Sequence, residues 1–182
     1  MTLRKWLASL AFIALAFTVA AQAQAPKADP ENTLVIELKT GRVLIQLRPD
    51  LAPKHVARVK QLAKEGFYNN IKFHRVIAGF MAQTGDPTGT GTGGSKLGNL
   101  PAEFTPTPFE RGTIGAARTN DPNSANSQFF ICFTHVPHLN GQYTVWGKVI
   151  EGMQYVDQIA KGEPPANPDV MQKVYLLADA KK

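Results

Sequence analysis

Residues 73 to 83 read Phe-His-Arg-Val-Ile-Ala-Gly-Phe-Met-Ala-Gln and are the strongest candidates for chemistry in this chain. Apolar and polar side chains alternate around one arginine, which predicts two short strands joined by a turn. Arg75 and Ile77 share a face because alternate side chains on a strand point the same way. Beyond the turn, Met81 and Gln83 share a face for the same reason. A guanidinium, a thioether and an amide can therefore converge in one site.

A second distinctive block, residues 127 to 132, reads Ser-Gln-Phe-Phe-Ile-Cys. Together the two blocks resemble the signature motifs of the cyclophilins, the peptidyl-prolyl cis/trans isomerases, and the resemblance covers nearly all residues after Thr33. It implies a mainly β fold, a closed eight-stranded antiparallel barrel capped by two α-helices. It also implies an enzyme that accelerates rotation about X-Pro peptide bonds.

This reaction makes modest chemical demands on the protein. Amide resonance sets a barrier of about 18–20 kcal/mol, and no bond is broken, so no nucleophile, metal or cofactor is needed. A guanidinium that donates a hydrogen bond to the prolyl nitrogen stabilises the twisted amide, because the nitrogen lone pair is available only then. We predict Arg75 as this catalytic group, with Gln83 orienting the substrate backbone and supporting Arg75. The motif disfavours the alternative, a surface arginine paired with a carboxylate.

Further residues are expected to bind the substrate. The resemblance implies Phe80, Met81, Ala117, Arg118, Phe130, His138, Leu139, Tyr143 and Gly91. Apolar members would wall a pocket for the proline ring, and backbone groups of Ala117 and Arg118 would pair with the residue that precedes proline. Phe129 alternates with Phe130 and is predicted to face the opposite side of its strand. The competing interpretation is that the apolar members belong only to the core.

Three positions depart from the usual family pattern. Arg118 stands where asparagine is frequent, His138 stands where many members have tryptophan, and Tyr143 stands where many have histidine. Tyr143 retains an aromatic wall with a polar tip, which can still close the proline pocket.

The remaining histidines are predicted to be structural. His74 faces away from Arg75 and is expected to be a hydrogen-bonded core residue. The spacing of His135 and His138 could suggest a metal, but no third ligand is near in sequence and Pro137 favours a turn. We predict no metal site.

Residues 89 to 94 read Gly-Thr-Gly-Thr-Gly-Gly and match a nucleotide-binding fingerprint in letters alone. Such a loop must open a helix whose N-terminus receives the phosphates, and no helical pattern follows Gly94. In cyclophilins an equivalent stretch borders a second pocket. Gly91 would there allow a peptide backbone to approach closely.

The chain carries a formal charge of +6, with basic and acidic residues interleaved. No basic run with stacked aromatic residues marks a nucleic-acid site, so the charge is interpreted as ordinary solubility. The single cysteine, Cys132, is predicted to be a buried small hydrophobic residue.

The N-terminus predicts export. Residues 1 to 23 combine a basic start at Arg4 and Lys5, an apolar stretch and a small-residue cleavage site, which is the pattern of a secretory signal peptide. A permanent membrane anchor is the alternative, but the apolar stretch is short for a span. Cleavage after Ala23 lowers the charge to +4. The periplasm is the expected location, with secretion as the alternative.

The elements that position these residues follow from the rest of the pattern. Residues 24 to 32 are predicted to be a flexible lead-in to a single domain, residues 33 to 182. An N-terminal hairpin over residues 33 to 48, a helix from Pro53 to before Gly66, and a second helix over residues 153 to 160 are expected. Short strands separated by turns are expected from residue 71 to residue 117, with a surface loop over residues 85 to 98. Further strands are expected over residues 113 to 117, 128 to 133, 144 to 149 and 173 to 177.

We therefore expect a monomeric isomerase that acts on proline-containing, unfolded exported proteins, without nucleic acid and without stable membrane association. The alternative from another class is a peptide-binding chaperone or scaffold with the same pocket and no significant catalysis. The intact Arg75, Phe80, Gln83 and Phe130 disfavour it. A nucleotide-binding protein, which would depend on the glycine run alone, is the third possibility.

Overall fold

A computed structural model describes residues 28 to 180 and shows a mainly β protein with two helices. The strands are β1 (Thr33–Leu38), β2 (Gly41–Leu47), β3 (Ile71–Lys72), β4 (Arg75–Ile77), β5 (Met81–Thr84), β6 (Thr113–Ala116), β7 (Phe129–Cys132), β8 (Val145–Glu151), β9 (Val170–Met171) and β10 (Lys173–Leu176). The helices are α1 (Pro53–Lys64) and α2 (Met153–Val156), and three short 3-10 helices cover Pro30–Asn32, Pro137–Leu139 and Leu177–Asp179. The predicted signal peptide lies outside the described residues.

Eight strands form one antiparallel sheet in the order β10-β1-β2-β8-β6-β7-β5-β4, while β3 pairs with β9 separately. The sheet curls into a half-barrel. The predicted closed barrel is wrong, because β4 and β10, the two outer strands, do not pair within residues 28 to 180. The chain after α2 occupies the edge of β4 instead. Val76 and Gly162 exchange two backbone hydrogen bonds of 2.8 Å, and the Phe73 amide donates to the Asp169 carbonyl.

The N-terminal hairpin and the first helix agree with the prediction. Pro53 occupies the first turn of α1, and Gly66 follows its end with a φ of +68°, a conformation that favours glycine. Ala52, the residue before α1, has no side-chain group that could cap the helix. The Glu103 carboxylate, from a distant loop, accepts the backbone amides of Lys54 and His55 at 3.1 and 3.0 Å. A distant acid therefore takes the place of a local N-cap.

The second helix is shorter than predicted, since α2 ends at Val156 rather than near residue 160. Lys161 binds main-chain groups just beyond this end. Its Nζ donates to the carbonyls of Asp157 and Ile159 at 2.7 and 2.6 Å, so these carbonyls have partners without a further helical turn. No helix within residues 28 to 180 has both the length and the hydropathy needed to cross a membrane.

The core divides into two clusters on opposite faces of the sheet. Phe129 packs with Trp146 in the large cluster beneath α1, whereas its neighbour Phe130 belongs to a smaller cluster. The small cluster consists of Met81, Phe109, Phe130, Cys132, Val136, Leu139 and Val145. The predicted alternation of Phe129 and Phe130 is thus confirmed. Cys132 is fully buried, and burial raises the pKa of its thiol to about 12.

Candidate active site

A pocket of about 120 Å³ opens above the small cluster, and we call it the apolar pocket. It is lined by Arg75, Phe80, Met81, Gln83, Ala117, Arg118, Phe130, Leu139 and Tyr143. The structure therefore brings together nine of the eleven residues predicted for the site. Four parts of the chain supply them, namely the β4–β5 hairpin, β7, the segment after β6, and the 3-10 helix Pro137–Leu139 with the loop that follows it.

Aromatic packing fixes the floor of this pocket. Phe130 is buried, and Phe109 stacks against it from below with ring centroids 5.7 Å apart. Tyr143 meets Phe130 edge-on at 5.7 Å. Gly115 lies directly against the Phe130 and Phe109 rings, where any Cβ atom would overlap them. Phe109, Tyr143 and Gly115 therefore hold the Phe130 ring on the faces that point away from the pocket, and the pocket exists before a ligand arrives.

Arg75 stands at the rim of the apolar pocket, opposite Gln83 in the β4–β5 pair. Its Nε donates to the Glu163 carboxylate at 2.8 Å, and this is its one hydrogen bond within residues 28 to 180. The terminal nitrogens of the guanidinium remain available. The sequence left two interpretations of Arg75, a catalytic group in the pocket or a surface arginine paired with a carboxylate. In the structure Arg75 both lines the pocket and pairs with the Glu163 carboxylate.

Glu163 was not predicted from the sequence, where it lies 88 residues from Arg75. The paired backbone hydrogen bonds between Val76 and Gly162 place Glu163 beside β4. No local pattern signals this contact, since it depends on where the chain returns after α2.

Gln83 was expected to support Arg75, but the structure directs its amide elsewhere. Its Nε2 donates to Gln128 Oε1 at 2.9 Å, and Gln128 Nε2 donates in turn to the Gly91 and Gly93 carbonyls at 3.0 and 2.8 Å. Gln83 therefore connects the apolar pocket to the glycine-rich loop. Gln128 was not predicted as a site residue from the sequence. Its position two residues before Phe130 does predict that the two side chains share a face.

A second depression of about 490 Å³, which we call the polar pocket, lies beside the apolar pocket. Its lining consists of Gln83, Gly91, Thr92, Gly93, Gly94, Ser95, Asn99, Ala117, Arg118, Thr119, Ser124, Asn126 and Gln128. Gly91 is therefore part of this lining rather than of the apolar pocket. Three residues, Gln83, Ala117 and Arg118, line both pockets and form their shared wall.

Asp86 shapes the loop on the far side of the polar pocket. This buried carboxylate accepts the backbone amides of Thr88, Thr90, Gly91 and Gly93 at 2.6 to 3.1 Å. Burial by itself raises the pKa of Asp86, but the hydrogen bonds from Thr88, Gly93 and Gly91 outweigh burial and lower the pKa to about 2. The glycine run thus encircles a carboxylate of the protein itself.

Arg118 is held at the shared wall by main-chain carbonyls. Its guanidinium donates to Gln142 O at 2.9 Å and to Thr119 O at 2.7 Å, and it lies 4.4 Å from the centre of the Tyr143 ring. These contacts fix the position of the charge without neutralising it.

The histidines differ from the expectation in one respect. His74 is buried against Gly91, but neither ring nitrogen has a hydrogen-bond partner among the described residues, so the predicted hydrogen bonding is wrong. Burial lowers the pKa of His74, which favours the neutral ring. His138 packs on Phe80 at 5.8 Å, outside both linings, and His135 faces Glu110 at 3.0 Å. Within residues 28 to 180 no three potential metal ligands cluster.

Comparisons with known proteins agree with this geometry. Residues 33–178 match the family model described as cyclophilin type peptidyl-prolyl cis-trans isomerase/CLD. A probable peptidyl-prolyl cis-trans isomerase of Brucella suis is 53% identical, with 98% of each chain covered. A peptidyl-prolyl cis-trans isomerase of Helicobacter pylori is 43% identical over 70% of this chain and 80% of its own.

Solved structures give the same result. A cyclophilin from Hirschia baltica superposes with a TM-score of 0.77 at 30% identity, covering 84% of this chain and 76% of its own. A Cryptosporidium parvum cyclophilin type isomerase, solved in the presence of the dipeptide Ala-Pro, gives 0.74 at 30% identity, covering 79% and 98%. The chain belongs to the cyclophilin-type peptidyl-prolyl cis-trans isomerases.

Proposed function

We propose that the apolar pocket binds the proline ring of X-Pro segments and that Arg75 catalyses their rotation in exported proteins. The observation that supports this most directly is the position of Arg75 at the rim of a preformed apolar pocket, where its terminal guanidinium nitrogens bond to no group in the described part of the chain. Met81, Phe130 and Leu139 are buried and offer the apolar surface that a proline ring requires.

The catalytic step requires a hydrogen-bond donor next to the prolyl nitrogen when the X-Pro amide twists. As conjugation is lost, the prolyl nitrogen becomes pyramidal and its lone pair accepts a hydrogen bond from a terminal nitrogen of Arg75. Glu163 occupies Nε and so directs the other end of the guanidinium toward the pocket. No proton or electron pair leaves the substrate.

Backbone binding is proposed at the shared wall. The Ala117 amide already donates to the Gln128 carbonyl at 3.0 Å. Of the two backbone groups of Ala117, the carbonyl is therefore the one that can accept a substrate amide. This contact would hold the residue that precedes proline and leave the X-Pro bond beside Arg75.

A proline-limited refolding assay with wild type and Arg75→Ala tests this function. Loss of a charged hydrogen bond made only in the transition state should lower kcat about a hundredfold to a thousandfold, with little change in KM. Arg75→Lys should also be impaired, because lysine lacks the planar fork. Nearly full activity of a folded Arg75→Ala protein, verified by circular dichroism, would show that Arg75 is not the catalytic group. Absence of isomerase activity in the wild type would favour the chaperone or scaffold alternative.

The proposed compartment is the periplasm, with secretion as the alternative, and its support is the signal-like composition of residues 1 to 23. N-terminal sequencing of protein purified from its own cells tests this point. A mature terminus at Gln24 is expected, whereas an intact Met1 in the cytoplasm would remove the export proposal and leave the isomerase proposal unaffected.

A further inference from the structure

The charges around the two pockets are unbalanced. The two linings contain two cations, Arg75 and Arg118, and no carboxylate. The charge of Arg75 is matched by Glu163 at 2.8 Å. Arg118 has no such partner, since all its hydrogen bonds within residues 28 to 180 go to the carbonyls of Gln142, Thr119 and Asn120. Carbonyl dipoles orient a guanidinium but carry no net charge, so a full positive charge remains at the shared wall.

The nearest acid in sequence does not change this balance. Asp121 follows Arg118 by three residues, but it lies outside both linings and its Oδ1 accepts the Asn123 amide at 2.8 Å. The other polar side chains of the polar pocket are neutral amides and hydroxyls. Asp86 lies behind the glycine-rich loop and outside both linings, where the backbone amides of Thr88, Thr90, Gly91 and Gly93 bind its carboxylate. Arg118 is therefore the one charged residue in the lining of the polar pocket, and an incoming carboxylate would meet it there.

The position of Arg118 determines which part of a bound substrate lies close to this charge. Gln83, Ala117 and Arg118 are the residues common to the two linings, so a peptide that extends from the apolar pocket into the polar pocket must cross them. With proline in the apolar pocket and the preceding residue on the Ala117 carbonyl, the side chains just before proline pass beside Arg118. Because this guanidinium is half-buried and fixed over Tyr143, its charge is localised rather than spread over many rotamers.

We infer that this isomerase prefers proline segments that carry an acidic residue one or two positions before the proline, and that Arg118 is the residue that sets this preference. The inference depends on the proposed function, because it assumes that the apolar pocket binds proline. Peptides with lysine at the same positions are disfavoured by the same charge.

The test compares matched peptides that differ only in Glu against Gln, placed one and two residues before proline, so that size and shape are constant. The measured quantity is the ratio of kcat/KM for the Glu peptide to that for the Gln peptide. Wild type should show a ratio of about two- to fivefold at low ionic strength, the size of a single exposed ion pair. The ratio should approach one in about 1 M salt, where the Debye length is only about 3 Å.

Arg118→Gln should bring the ratio to one at both salt concentrations. Lys173→Gln is the matched control, because it removes one positive charge from β10, the strand at the other end of the sheet order from β4, and lies outside both linings. Its ratio should equal that of wild type.

A wild-type ratio of one would overturn the inference while leaving the isomerase function intact. An equal loss of the ratio in Lys173→Gln and Arg118→Gln would also overturn it, because net charge rather than Arg118 would then be responsible. If neither peptide were turned over, the proposed function would fail. The same Glu-to-Gln ratio, measured as peptide affinity by calorimetry, would then decide the charge preference independently of catalysis.

Discussion

The apolar pocket and the polar pocket share a wall but are built in different ways. Side chains make the apolar pocket, where Phe130 rests on Phe109 and is enclosed by Tyr143 and Leu139. Main chain makes much of the polar pocket, where the glycine-rich loop is wound around the Asp86 carboxylate. The first therefore depends on residue volume, and the second depends on a few hydrogen bonds. This difference predicts that the two pockets fail in different ways when they are mutated.

The largest effect is expected from Phe130→Ala. Removing a buried aromatic ring and leaving a cavity costs about 3–5 kcal/mol of folding free energy. Loss of the pocket floor should also raise KM and lower kcat together, unlike Arg75→Ala, which should lower kcat alone. Urea denaturation and peptide kinetics measure the two effects. If Phe130→Ala changed stability without changing KM, the apolar pocket would not be the binding site for proline.

In the polar pocket, Gly93→Ala should have the next largest effect. A Cβ at residue 93 would overlap the Asp86 carboxylate and the Thr88 side chain. Asp86 cannot move away without releasing the amides that it holds, so a cost of about 1–3 kcal/mol is expected. Gly98→Ala is the matched control in the same loop, because its Cβ would meet no atom within 4 Å. Thermal denaturation should separate the two variants. Equal stability would show that the loop is not held by Asp86.

The pH dependence of stability isolates Asp86 itself. The pKa of its carboxyl is lowered from 3.8 to about 2 in the folded protein, so its contribution is present above pH 4 and is lost as the pH falls toward 2. The shift corresponds to about 2 kcal/mol. Urea midpoints at several pH values in this range should show a smaller acid loss for Asp86→Asn than for wild type. If the urea midpoints of wild type and Asp86→Asn fell in parallel with pH, Asp86 would not be the group responsible for the acid loss of stability.

The smallest effect concerns Glu163 at the rim of the apolar pocket. An exposed ion pair contributes about 0.2–1 kcal/mol, so Glu163→Ala should lower kcat about two- to fivefold through disorder of Arg75, with KM nearly unchanged. Glu163→Gln keeps an acceptor for Nε and should retain most activity. Asp157→Ala, which breaks the comparable pair with Arg111 at 2.6 Å, should have no effect on kcat. A gain of activity in Glu163→Ala would mean that Glu163 competes with substrate.

Residue alternation predicted the apolar pocket better than the polar one. Alternation along the strands indicated that Arg75, Met81 and Gln83 could converge, because side chains two residues apart share a face. Phe130 was predicted from the resemblance to cyclophilins, and alternation placed Phe129 on the opposite face. The direction of the Gln83 amide was not found, because it depends on Gln128 reaching from another strand. Asp86 carries no sequence signal for its role, since its partners are backbone amides of a loop without periodicity.

The sequence by itself determined the family, the short strands, the first helix and the residues of the apolar pocket, because these follow from local patterns and two specific motifs. Only the tertiary structure decided the open sheet, the early end of α2, the pairing of Arg75 with Glu163 and the unopposed charge of Arg118. Each of these depends on which distant segments meet. The segment after α2 covers the edge of β4 and brings Glu163 to Arg75, whereas the Arg118 guanidinium bonds only to main-chain carbonyls among residues 28 to 180. Such contacts follow from the path of the whole chain, which local periodicity does not encode.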